Sequence, residues 1–247
     1  WESPVLVDPN SRDDSAGALA PAVREGGSVP SSGRVVSRPD KRSAGEGVNG
    51  TGSDENFIAA HFDKTRSVLD SAAKDAALRA AIHRISAVIV DALGRGGKLL
   101  IAGNGGSASD AQHIAGEFLS RLNFDRNPLP AIALTTDTSV LTAVGNDYGF
   151  ERVFERQVRG LAKPGDVFIG ISTSGKSPNV LAALKAAREI GVVTVGFGGN
   201  QESPMKPLCD HMLAVLSHET PLIQQVHIVA AHIICGLVEQ KMFGGPR

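Results

Sequence analysis

From residue 55 to residue 243 the chain moves between two hydrophobic rhythms, a helical period near 3.6 and short, nearly continuous apolar runs. Phe57, Ile58, His61, Phe62, Val68 and Leu69 predict an amphipathic first helix. Leu78, Ala81, Ile82, Ile85, Val88, Ile89, Ala92 and Leu93 predict a longer second one, ended by Gly94, Gly96 and Gly97. Apolar runs then alternate with helical stretches. Strands are expected at 98–102, 130–135, 166–171 and 192–197, with an edge strand at 211–216. Helices are expected at 107–122, 139–144, 151–161 and 179–190, and a final one runs from about Pro221 to Met242 with Thr220 as its cap. Strand–helix repetition of this kind predicts an α/β three-layer sandwich: a mainly parallel five-stranded sheet with helices on both faces, preceded by two N-terminal helices. Ligands of such sheets bind at the carboxyl ends of the strands.

Residues 1–54 break this rhythm. They hold 9 Ser, 8 Gly and 5 Pro with one aromatic side chain, and are expected to be a disordered tail or appended sequence ahead of one folded domain, 55–247. A net charge of -1 gives no basic footprint for nucleic acid. No uninterrupted apolar run approaches the roughly 20 residues of a membrane span. Cys209 and Cys235 make no disulfide framework, which suits a reducing cytoplasm.

Candidate chemistry gathers where two strands end. Asp166 to Ile171 runs into Ser172, Thr173, Ser174, Gly175, Lys176 and Ser177, just before a helix. Free backbone N–H groups, a positive helix end and several hydroxyls make a phosphate cradle. Gly170 to Ser177 also fits the P-loop pattern of nucleotide hydrolases, in which Lys176 reaches the phosphates and Ser177 holds magnesium. Pro178 directly after that serine is awkward for it. Gly103 to Ala108 fits the dinucleotide pattern, but the acid that should end the next strand, Asp137, comes 29 residues after Ala108 rather than about 20. A third reading uses every polar residue of both loops: Ser172, Thr173, Ser174 and Ser177 grip a phosphate monoester, with Asn104, Gly105 and Gly106 beside them.

His113 and Glu117 stand four apart on the helix after the glycine loop and share a face. A pair of this kind is often an ordinary surface contact. The final helix sets Gln224, Gln225, His227 and His232 in an otherwise apolar segment, where each polar side chain needs a partner. His227 reads as a core or interface histidine. Imidazole, carboxylate and amide oxygen together suit a divalent metal such as zinc. Gln224 and His232 are eight residues apart, about 12 Å along a helix axis, so one ion would need converging side chains or a second subunit.

The segments 103–118, 142–158, 170–184 and 219–239 resemble, in order, the sugar-isomerase (SIS) fold and, within it, the phosphoheptose (sedoheptulose 7-phosphate) isomerase family. The resemblance implies an aldose–ketose isomerase that makes D-glycero-D-manno-heptose 7-phosphate for bacterial surface glycans. It implies that Ser172, Thr173, Ser174 and Ser177 hold the phosphate, and that Asn104, Gly105, Gly106, Asn146, Asp147, Glu117 and Gln224 line the sugar site. His113, Glu117, Gln224 and His232 would bind one Zn2+ per subunit, Glu117 and His232 would also move protons, and the protein would be a homotetramer with sites at subunit contacts. The chain departs from the pattern in its long N-terminal segment and in Gln225, where a Glu is expected. A competing reading is a non-catalytic sugar-phosphate-binding or replication-initiator-associating protein of the same fold, which would have no need of the four ligands.

Overall fold

The structure, a computed structural model, describes residues 51–199 and 202–244. The tail expected at 1–54 therefore lies outside the described residues up to position 50. The first helix, α1 (Thr51–Lys74), begins before the expected boundary, which falls within its first turn. α2 (Ala76–Gly94) follows, capped by Asp75, whose carboxylate accepts the N–H groups of Ala77 and Leu78.

Five strands then alternate with helices: β1 (Leu99–Gly103), α3 (Gly106–Leu119), β2 (Ala131–Ala133), α4 (Thr138–Tyr148), α5 (Val153–Leu161), β3 (Val167–Ser172), α6 (Pro178–Ile190), β4 (Val193–Gly198), β5 (His211–Ala214) and α7 (Thr220–Phe243). All pairings are parallel, in the order β2-β1-β3-β4-β5. The predicted sheet and its edge strand are present, and Thr220 proves to be the first residue of α7 rather than its cap.

Successive side chains of a strand face opposite ways, and β1 shows the result. Leu99 and Ile101 enter a core made with α2, α3 and α7, whereas Leu100 and Ala102 enter one made with α4, α5 and α6. The sandwich therefore has three layers. At the amino ends of the strands, Asp166 joins β1 to β3: its carboxylate accepts Lys98 N–H at 2.9 Å and Lys163 N–H at 2.8 Å and pairs with Lys98 Nζ at 2.6 Å.

α7 is long and apolar enough to cross a membrane by length and composition, with a mean hydropathy of 1.6. Gln224, Gln225, His227 and His232 interrupt it, so it is not an uninterrupted apolar run. Half of it is buried in the fold, and its inner residues Ile223, Val226, Ala230, Ile234 and Val238 belong to the first core. His227 is buried in the same helix: its Nε2–H donates to Gly198 O at 3.1 Å, fastening α7 to the end of β4, and its Nδ1 has no partner among the described residues.

Burial lowers the His227 pKa from 6.5 to about 4, against the opposing effect of the Gly198 bond. Between these values the unfolded chain binds a proton that the folded chain excludes. Stability should therefore be complete above pH 6.5 and fall as pH drops toward 4, by up to about 3 kcal/mol. His227→Leu should flatten this dependence in urea titrations at a series of pH values. A parent no steeper than the variant would contradict it.

Candidate active site

β1 leads outward to β2 on one side, while the chain returns through β3 on the other. Between β1 and β3 lies the point where strand order reverses, and ligands of such sheets bind there at the carboxyl ends. Two loops border it, 103–106 after β1 and 172–177 after β3. Asn104 and Asn179 join them: each side-chain amide donates to the other's carbonyl oxygen at 2.9 Å. Asn179 is 2% exposed. Sequence reading missed it because its partner is 75 residues away.

The second loop is a tight turn that gathers several hydroxyl side chains. Gly175 turns it with φ +62°, a conformation L side chains rarely adopt, and a Cβ there would also meet the Ser203 side chain. Ser172 and Ser177 share a hydrogen bond of 2.9 Å, and Lys176 N–H donates to Ser174 Oγ at 3.2 Å. α6 starts at Pro178, which lacks only an N–H that the first turn does not use. A cleft of about 220 Å3 beside the loop is lined by Thr173, Ser174, Lys176, Ser217, His218 and Thr220. It borders the first turn of α7 as well.

α3 and α7 carry the candidate metal ligands. His113 Nε2 lies 2.8 Å from His232 Nε2 and 3.3 Å from Glu117 Oε1. One ligand atom from each of the three lies within 4.8 Å of the others. Two imidazole nitrogens this close either share a proton, one ring donating to the other, or bind a cation together. Two nitrogens and an oxygen suit a divalent metal with a position left for substrate.

Gln224 stands eight residues before His232 on α7. Its Nε2 lies 3.4 Å from Ser107 Oγ, on the first turn of α3 and almost two turns before His113. A Cβ on Gly106 would come 2.6 Å from that amide nitrogen, so glycine is what lets Gln224 reach the loop. Gln225 Oε1 is buried with no partner among the described residues, and a glutamate there would bury an unpaired charge. Asn146 donates to Asp147 at 2.8 Å near the end of α4. Both are exposed, and among the described residues no hydrogen bond ties them to either loop or to the trio.

Asp110, one turn before His113, was also missed. Burial raises its carboxyl pKa while His113 lowers it, and Oδ2 has no partner among the described residues. Asp137, the acid a dinucleotide site would need, instead caps α4 by accepting Val140 N–H at 3.0 Å.

The SIS domain family matches residues 60–199. Phosphoheptose isomerase from Burkholderia pseudomallei (strain 1710b) is 53% identical over 188 residues, covering 76% of this chain and 95% of that protein. The chain belongs to the phosphoheptose isomerase family. Phosphoheptose isomerase GmhA from Neisseria gonorrhoeae superposes with a TM-score of 0.70 at 40% identity, covering 74% of this chain and 98% of that one. The Francisella tularensis phosphoheptose isomerase gives 0.73 at 34% identity, with 76% and 98% covered. The readings as a P-loop hydrolase and as a nicotinamide enzyme are set aside.

If Asn104 and Asn179 work as one unit, either alanine substitution should cost about 1–3 kcal/mol through the orphaned amide. The double variant should then be little worse than one alone. Urea unfolding of the four proteins tests this, and fully additive losses would refute it.

Proposed function

We propose that this isomerase of the phosphoheptose family interconverts sedoheptulose 7-phosphate and D-glycero-D-manno-heptose 7-phosphate through an enediolate, supplying heptose for bacterial surface glycans. The meeting of His113, Glu117 and His232 across α3 and α7 carries this reading. A sugar-phosphate-binding protein of the same fold would have no use for such a trio.

Ser172, Thr173, Ser174 and Ser177 hold the phosphate against the positive end of α6, which fixes the sugar's far end. Asn104, Gly105, Gly106 and Gln224 border the crevice along which the carbon chain lies. Ketose-to-aldose conversion moves a proton from C1 to C2 and another between the two oxygens. The Glu117 carboxylate takes the carbon-bound proton and returns it one carbon along, while the His232 imidazole serves the oxygens.

His113, Glu117 and His232 would hold Zn2+, with Gln224 as the fourth ligand the family resemblance implies. When bound, the metal supplies Lewis-acid stabilisation of the oxyanion. Ligation lowers the basicity of a carboxylate, so the two roles of Glu117 oppose each other.

Assembly as a homotetramer is supported by apolar surface left open in the single chain. α1 is exposed at every position from 52 to 64, with Phe57 at 74% and Phe62 at 71%. Val229 and Ile233 stand open on the outer face of α7 beside a groove of about 500 Å3. Asn146 and Asp147 would line the sugar site, as the family resemblance implies. The unpaired Cys209 and Cys235 support a cytoplasmic setting.

Glu117→Gln or His232→Ala should leave the fold intact by circular dichroism and reduce turnover by at least about 100-fold. Near-parental isomerisation by either would overturn the role assigned to it. Chelation should abolish activity and Zn2+ should restore it, whereas activity unchanged by chelator would remove the metal from the account. Ser174→Ala should raise KM far more than Lys176→Ala does, and the reverse order would return the loop to a nucleotide reading. Phe57→Asp with Phe62→Asp should yield a smaller species by light scattering, and an unchanged tetramer would place the interface elsewhere.

A further inference from the structure

Arg126 and Glu239 form an ion pair in which both side chains are enclosed, 3% and 1% exposed. Charges this deep stabilise a fold only when every remaining donor and acceptor is matched. Here the matching is unusually specific in where it leads. Arg126 turns back over the open carboxyl end of α3, where Nη2 donates to Glu117 O at 2.7 Å and Nη1 to Phe118 O at 2.7 Å. Nη1 also donates to Ser120 O at 3.0 Å and Asn127 O at 3.1 Å, while Nε donates to Glu239 Oε1 at 3.2 Å. The Glu239 carboxylate accepts the backbone N–H groups of Leu122 at 2.8 Å and Asn123 at 3.0 Å, and the Asn123 amide at 3.1 Å. Burial alone would push the Glu239 carboxyl up, but these donors outweigh it and hold it below the usual value.

The two ends of this bridge stand on the elements that carry the trio. One end is the backbone of Glu117 itself. The other lies seven residues after His232, two turns along α7 on the same face. Sliding one helix by a single residue would displace a ligand by about 1.5 Å and turn it by about 100°, whereas metal–ligand distances tolerate about 0.2 Å.

We infer that Arg126 and Glu239 are positioning residues: they fix the register of α3 against α7, and with it the approach of His113 and Glu117 to His232. Neither touches the reacting atoms. The inference rests on the reading of the trio as the metal and proton-transfer site.

The test compares Glu239→Gln and Arg126→Lys with Asp166→Asn, which breaks another enclosed carboxylate network, the one that joins β1 to β3. Zn2+ affinity by competition titration and the steady-state constants are measured on the full chain. Glu239→Gln should weaken Zn2+ about tenfold or more and lower kcat, with KM held within about twofold because the phosphate loop is untouched. Arg126→Lys, which keeps the charge but loses the fan of bonds to α3, should show the same split, and decides the matter if Glu239→Gln does not fold. Asp166→Asn should lower thermal stability while keeping parental Zn2+ affinity and kcat. Parental Zn2+ affinity and kcat in the two clamp variants, or equal losses in Asp166→Asn, would overturn the inference. A parent that isomerises without taking up Zn2+ would defeat the metal reading alone, and the kcat–KM split would still decide between positioning and plain stability.

Discussion

The contact between α3 and α7 is the constraint on which the site depends. α3 starts at the glycine loop and carries His113 and Glu117, and α7 carries Gln224 and His232. The trio exists only while the two helices keep one register and one distance. Several separate bonds hold that relation. Gly106 admits the Gln224 amide at the near end, the Arg126–Glu239 pair closes the far end, and His227 anchors α7 to β4 between them. His227 and Glu239 are buried beside a core built mainly of Ile, Val, Ala, Leu and Phe.

The two halves of the proposed chemistry belong to different layers of the sandwich. The proposed phosphate loop lies between β3 and α6, whose buried face packs into the second core with α4 and α5. The trio proposed for proton transfer stands on α3 and α7, on the first core. They meet because strand order reverses between β1 and β3, and the Asn104–Asn179 pair holds their loops together across that reversal. In the proposed reading, a carbon chain anchored by its phosphate would be presented to the trio from a fixed end.

Much of this was legible in the chain before any coordinates, for identifiable reasons. Strands and helices announced themselves by period, and the hydroxyls of 172–177 by their density after a buried run. His113 and Glu117 were visible as a pair because four residues make one helical turn. The clamp was invisible, since Arg126 and Glu239 lie 113 residues apart and either alone reads as a solvated charge. Asn179 was hidden in the same way. Asp137 was ambiguous, because an aspartate before a helix can cap it or bind a ribose, and only the bond to Val140 N–H decides. Gln224 and His232 lie eight residues apart, about 12 Å along a helix axis, and the Gln224 amide contacts Gly106 and Ser107.

The central claim is that a carboxylate on α3 moves a carbon-bound proton of a sugar whose phosphate is held by the loop after β3. Proton exchange on sedoheptulose 7-phosphate in heavy water, followed by NMR, addresses it most directly. The parent protein should introduce deuterium at C1 of the ketose and C2 of the aldose, and Glu117→Gln should introduce none while still binding the sugar phosphate. Exchange at an undiminished rate in Glu117→Gln would contradict the account.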